Sequence, residues 1–330
     1  MKRGSFNSEH KVFIRENWNK PLIKFLSKKI NDRLIYIGLP SSQAEDLTHW
    51  IEFIKEVIAF QCREYGKPSD SSQSRAGIEA LEEFLSRLER ERKLDNFIVY
   101  DGYLEEVVLK GFDNSPNNIK FEQNSVITLY NLDFCNDIAS PIEYIDRNGD
   151  KHKVYKFDAI RSLLRIQQGL SHVSDKFLFL LTIHCSYKGA ELQDFLNNPP
   201  DKQIAEYLAT YRHLTGHERN ARIIRLFICY QIARYFPDHN FSHKILPIIK
   251  YKGLNGTPLL HFVILGTKTQ PSAQGAPVYQ PLNEVLDQKF ISIEAEEFVN
   301  LDSVLMEKDI VELDPIRLFT QSKTYKKLWA

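Results

Sequence analysis

Glycine is scarce in this sequence, 14 residues of 330, where a share of about 7% is usual. A loop that cradles phosphate through clustered glycines would show them, and no such cluster is present. Cysteine occurs four times, as Cys62, Cys135, Cys185 and Cys229. None of these spacings is the C-x-x-C of a zinc or redox pair. Charge of either sign is not in excess: Lys+Arg is 43 and Asp+Glu is 43, for a formal net charge of zero. That balance excludes a protein that coats nucleic acid by bulk positive charge, while leaving room for a local basic groove. The longest apolar run, Lys176–Ile183, is far below the roughly 20 residues that span a bilayer. The opening MKRGSFNSEH leads into no apolar stretch, so neither a secretory signal nor a membrane anchor is expected. The cytoplasm, with reduced thiols, is the expected setting.

What is present is a chain of ordinary globular make-up, 43% hydrophobic and 12% aromatic, able to bury a sizeable core. Trp18, Leu22, Leu26 and Ile30 recur at helical spacing with Ile23 beside them, which predicts an N-terminal helical segment over residues 1–32. Short β-rich runs follow at 34–40, 56–61, 96–102, 125–134 and 176–187, alternating with helical stretches. Ser42 and Glu45 have capping-box spacing ahead of Leu47, Trp50 and Ile54. A hairpin signal lies around Arg147–Asp150. Two helices are expected in an insertion at 190–240, and strands 244–253 and 258–268 form an antiparallel pair. Pro247 pushes the first of these toward an edge. Alternation of this kind predicts an α/β fold: a three-layer α/β/α sandwich whose mainly parallel, seven-stranded sheet ends in an antiparallel hairpin. Residues 33–268 would form this domain and 269–330 a C-terminal extension.

Ligands of open α/β sheets bind beyond the carboxyl ends of the strands, so chemistry is sought there. The first strand ends in Gly38-Leu39-Pro40, the second in Gln61, the third in Asp101-Gly102. The fourth ends in Asp133-Phe134-Cys135-Asn136, the fifth in His184-Cys185. Five βα units followed by an antiparallel hairpin resemble the Rossmann-like S-adenosylmethionine-dependent methyltransferases. The Asp and aromatic after the fourth strand are also similar to methyltransferase-like proteins of the three-Cys-motif partner type. The resemblance implies S-adenosylmethionine as cofactor, with Gly38, Leu39 and Pro40 near its methionine moiety. It further implies Gln61 at the ribose and Asp101 and Gly102 at the adenine. Only Gly38 remains of the family's glycine-rich turn, and Gln61 stands where a carboxylate is usual.

Asp133 and Asn136 would then position a methyl acceptor, a nucleic acid or nucleobase amino group being the expected class. Cys135 is a candidate nucleophile, as in some cytosine methyltransferases, or else a small buried hydrophobe. His184 is a candidate general base, or a structural strand-end histidine. Asp101 would look the same as a helix cap. Arg219, Arg222 and Arg225 would make a basic stripe able to meet phosphate, or a solvated face. His213 and His217 have no third ligand nearby, so no metal is expected. The reduced glycine turn also admits a different class of protein: a catalytically degenerate relative acting as a binding or regulatory subunit, with a nucleic-acid or protein partner, in a nucleic-acid-processing or defence assembly.

Overall fold

The computed structural model describes residues 8–61, 76–134, 137–146, 148–170, 175–185, 188–253, 256–269 and 280–292. The chain enters through α1 (Glu9–Ile14), a π-helical turn (Arg15–Asn19) and α2 (Lys20–Ile30). Next come β1 (Leu34–Gly38), α3 (Glu45–Trp50), β2 (Ile54–Gln61), α4 (Ala76–Arg90) and β3 (Asn96–Asp101). Then follow α5 (Leu104–Lys110), β4 (Leu129–Asp133), the hairpin β5 (Ile142–Ile145) and β6 (Lys151–Val154), α6 (Lys156–Gly169) and β7 (Lys176–His184). Helices α7 (Ala190–Asn197), α8 (Lys202–Thr210) and α9 (Gly216–Asp238) lead to β8 (Phe241–Ile245), β9 (Ile249–Lys252) and β10 (Pro258–Lys268). The last described elements are α10 (Leu282–Leu286) and β11 (Ile291–Ser292).

The sheet runs β11-β9-β10-β7-β4-β1-β2-β3, with β8 also on β10. Strands β3, β2, β1, β4 and β7 are mutually parallel, and β10 is antiparallel to β7, β8 and β9. This is the doubly wound sheet with a terminal antiparallel hairpin that the sequence implied. Alternation along β1 divides the core: Ile37 faces α5, α6 and α9, whereas Tyr36 faces α2, α3 and α4. The N-terminal stripe packs as expected, with Trp18, Leu22, Ile23 and Leu26 buried. No helix among the described residues is long and apolar enough to cross a membrane.

Four local expectations are corrected. The strand expected over 244–253 is two strands, because Pro247 has no N–H to give and the ladder breaks around it. With β11 pairing on β9, the sheet has nine strands among the described residues, rather than seven. Ser42 and Glu45 make no capping box: Ala44, in the left-handed region at φ 49°, is the N-cap of α3. Glu45 is drawn instead to Arg15. Finally, there is no basic stripe on α9. Arg222 pairs with Glu218, and Arg225 is buried, donating to the carbonyls of Gln288 and Leu286 with its guanidinium 4.6 Å from the Phe290 ring. That arginine ties the end of α10 and the approach to β11 onto α9.

Candidate functional site

Strand register sets the site. Gly38 pairs with Asn131, Asp133 with Thr182, and Thr182 with His261. Registered partners share a face, so Asn131, Asp133, Thr182 and His261 form a polar row across β4, β7 and β10, on the side covered by the N-terminal helices. Asn131 Nδ2 donates to Asp46 Oδ2 at 2.9 Å and to Tyr36 Oη at 3.2 Å. His261 Nε2 meets Asn19 Oδ1 at 2.9 Å and its Nδ1 meets Thr182 Oγ1 at 2.8 Å. With an amide oxygen as partner, Nε2 carries the proton and Nδ1 accepts from the threonine. Burial pushes this imidazole down to about 3, so it stays neutral.

The N-terminal helices close over the row. Lys11 Nζ lies 2.5 Å from Asp133 Oδ2. The Arg15 guanidinium pairs with Asp46 and reaches Glu45 at 3.5 Å, while the Arg15 carbonyl accepts from Trp50 Nε1 at 3.2 Å. Arg15 and Asn19 bound the π-helical turn, a distortion that recurs at functional sites. Between these groups is a recess of about 20 Å³, room for one water molecule.

Residues expected at a cofactor end adjacent strands. Gln61 and Asp101 are register partners, and Gly38 sits on the far side of β2 from Asp101. Asp101 is buried, and its N–H donates to Asp113. The Asp113 carboxylate also collects the N–H of Ser115 and of Ile119, which fixes the loop beyond α5. Gly102 has φ +149°, and a Cβ there would meet Val107 at 2.9 Å. The Leu39 N–H donates to the Asn131 carbonyl, and Pro40 is buried. The room left by Gly38 is taken from within: a Cβ there would lie 2.4 Å from Tyr36 Oη and 2.5 Å from the Asn131 carbonyl oxygen. Thr182, rather than His184, stands beside Asp133; His184 is two residues farther along β7. Cys135 and Asn136 lie outside the described residues. The two described cysteines, Cys185 and Cys229, are buried with thiols pushed up to about 12, which makes them poor nucleophiles.

On the opposite face, Lys156 supports the chain just beyond β4. Its ammonium donates to the carbonyls of Asp137 at 2.9 Å and Ser140 at 3.1 Å, with Glu105 at 3.6 Å. Nearby Glu191 is lifted from 4.5 to about 7 by burial and then by Asp158. Between those values the folded chain holds a proton that the unfolded chain releases, so stability falls as pH rises. Glu191→Gln should therefore raise the melting temperature at pH 8 and leave it unchanged at pH 4. The slope removed is at most about 1.4 kcal/mol per pH unit. Melting curves of both proteins across that range provide the check.

Sequence reasoning missed Lys11, Arg15, Tyr36, Asp46 and His261. The only signal was a lone histidine inside the apolar run PLLHFVIL. Lys11 and Arg15 precede the apolar stripe that begins at Trp18, and no motif singles them out.

No family model matches the chain, and no curated protein matches it. The likeness to three-Cys-motif partner proteins thus finds no support. Solved structures do align with it. One is an O-methyltransferase from Bacillus cereus in complex with SAH, at 13% identity and TM-score 0.32, covering 79% of this chain and 90% of that one. Another is an rRNA methylase from Streptococcus thermophilus, at 14% identity and TM-score 0.32, covering 75% and 94%. A third is an S-adenosylmethionine-dependent methyltransferase in its apo form, at 7% identity and TM-score 0.33, covering 77% and 56%.

Proposed function

We propose that this chain is an S-adenosylmethionine-dependent methyltransferase. The observation that carries the reading is the shared carboxyl edge of β1, β2, β3 and β4, which ends in Gly38, Gln61, Asp101 and Asp133 on neighbouring strands. The donor set fits the adenosine half of the cofactor. The Gln61 amide offers an acceptor and two donors for ribose hydroxyls, and the carboxylate of Asp101 would accept from the adenine amino group. Gly38 supports the site differently from a cofactor cradle, since Tyr36 and Asn131 use its free space. When bound, S-adenosylmethionine supplies an electrophilic methyl group on a sulfonium. Asp133 holds the acceptor by accepting its N–H or O–H, Asn131 and Asp46 fix the floor beside it, and the helical cover limits water. Holding the acceptor in line accounts for most of the rate gain such a site offers. The nucleic acid or nucleobase acceptor expected from the sequence would meet Asp133 through the same contact, and a protein partner is proposed on the same terms.

Isothermal calorimetry with S-adenosylmethionine and S-adenosylhomocysteine tests the reading. Micromolar binding is expected, weakened at least tenfold by Asp101→Ala, about 1.4 kcal/mol. No heat at millimolar ligand rejects it and leaves the cofactor-free binding or regulatory subunit.

A further inference from the structure

We infer that the recess at Asp133 takes a primary alkylamine as acceptor and that Lys11 occupies it as an internal stand-in. The inference rests on the proposed methyltransferase reading and specifies its substrate class. The lining carries two carboxylates, Asp133 and Asp46, set against the cations of Lys11 and Arg15. Arg15 balances Asp46 and Glu45, which leaves Asp133 to Lys11. An ammonium on a narrow aliphatic stem is thus the guest already present. Lys11 and Asp133 keep 15% and 21% of their side chains exposed, so the pair stands at the mouth of the recess, where an outside amine can reach it.

The segment that brings Lys11 there is lightly held. Among the described side chains of α1, Ile14 is buried and His10, Lys11, Val12 and Phe13 are half-buried. Phe13 packs against the core from its rim, and His10 Nδ1 adds a polar contact to the Lys252 carbonyl at 3.0 Å. The firm packing begins beyond the π-helical turn, at Trp18 and Leu22. Lys11 can therefore leave while α2 stays in place. An incoming ammonium would pass one proton to the Asp133 carboxylate. Its freed lone pair then forms the N–C bond as the methyl's C–S bond breaks, and the bonding electrons stay on sulfur. The thioether and an N-methylalkylammonium leave, and Asp133 returns its proton to water.

The test uses Lys11→Ala, which removes a propylammonium's worth of atoms, and n-propylammonium as the probe. Lys11→Ala should melt about 1–2 °C lower. Millimolar propylammonium should restore the loss, propanol should not, and Lys11→Ala/Asp133→Asn should not respond. With S-adenosylmethionine, Lys11→Ala should methylate propylamine at least tenfold faster than the unaltered protein. Lys11→Met, which keeps the stem and blocks the recess, should not. Absence of thermal rescue overturns the amine site. Rescue without methyl transfer, in a protein shown by calorimetry to bind the cofactor, reduces the pair to a structural one. So does transfer to an oligonucleotide and none to propylamine. Rescue in a protein that gives no heat with the cofactor keeps the amine site and removes only the methyltransferase reading.

Discussion

Lys156→Met should destabilise the protein by about 3–5 kcal/mol, the usual cost of stranding one member of a buried ion pair. Lys156 is 0% exposed and Glu105 2%. Burial pulls the ammonium below its ordinary value and pushes the carboxyl above its own, and each group's charge offsets part of the other's burial cost. Without the ammonium, Glu105 has no counter-charge, and the carbonyls of Asp137 and Ser140 lose their donor. Glu105→Gln in the same background should recover a large part of the loss. Denaturant midpoints of the two single variants and the double give the coupling directly. Equal losses in Lys156→Met and the double variant would show that the carbonyl contacts, not the pair, carry the effect.

The second large effect is expected at Gly38→Ala. One added methyl would lie within 2.6 Å of the Tyr36 ring and hydroxyl and 2.5 Å from the carbonyl of Asn131. Overpacking of a filled core costs about 1–3 kcal/mol, and this site belongs at the upper end because one obstacle is backbone in the central strand. Tyr36→Phe should relieve only part of the strain, since the carbonyl stays. Full restoration by Tyr36→Phe would locate the crowding in the hydroxyl alone. Urea unfolding of the single and double variants distinguishes the two.

Sheet order was legible because it follows from local pattern. β4 and β7 are buried on both faces along most of their length, as central parallel strands must be, and the antiparallel β10 comes after the long helix α9. Strand-end residues were legible for the same reason: once a strand is placed, its carboxyl end is placed. What covers those ends was not. Lys11 is separated from Asp133 by 122 positions, and no period or motif announces so distant a pairing. His261 was hidden for another reason. A buried neutral histidine is distinguished from an exposed one only by its partners, Thr182 and Asn19, which lie on other elements. The break at Pro247 was half legible. Proline marked a strand pushed toward an edge, but the pairing that continues on both sides of it depends on β10.

The tie between Arg225 and the end of α10 bears on how the molecule behaves in company. By holding β11 against β9, it covers a row of backbone N–H and C=O groups that would otherwise invite strand addition from another molecule. Loss of that clasp leaves β9 as an open ledge, and the protein gains a route to self-association that has nothing to do with its chemistry.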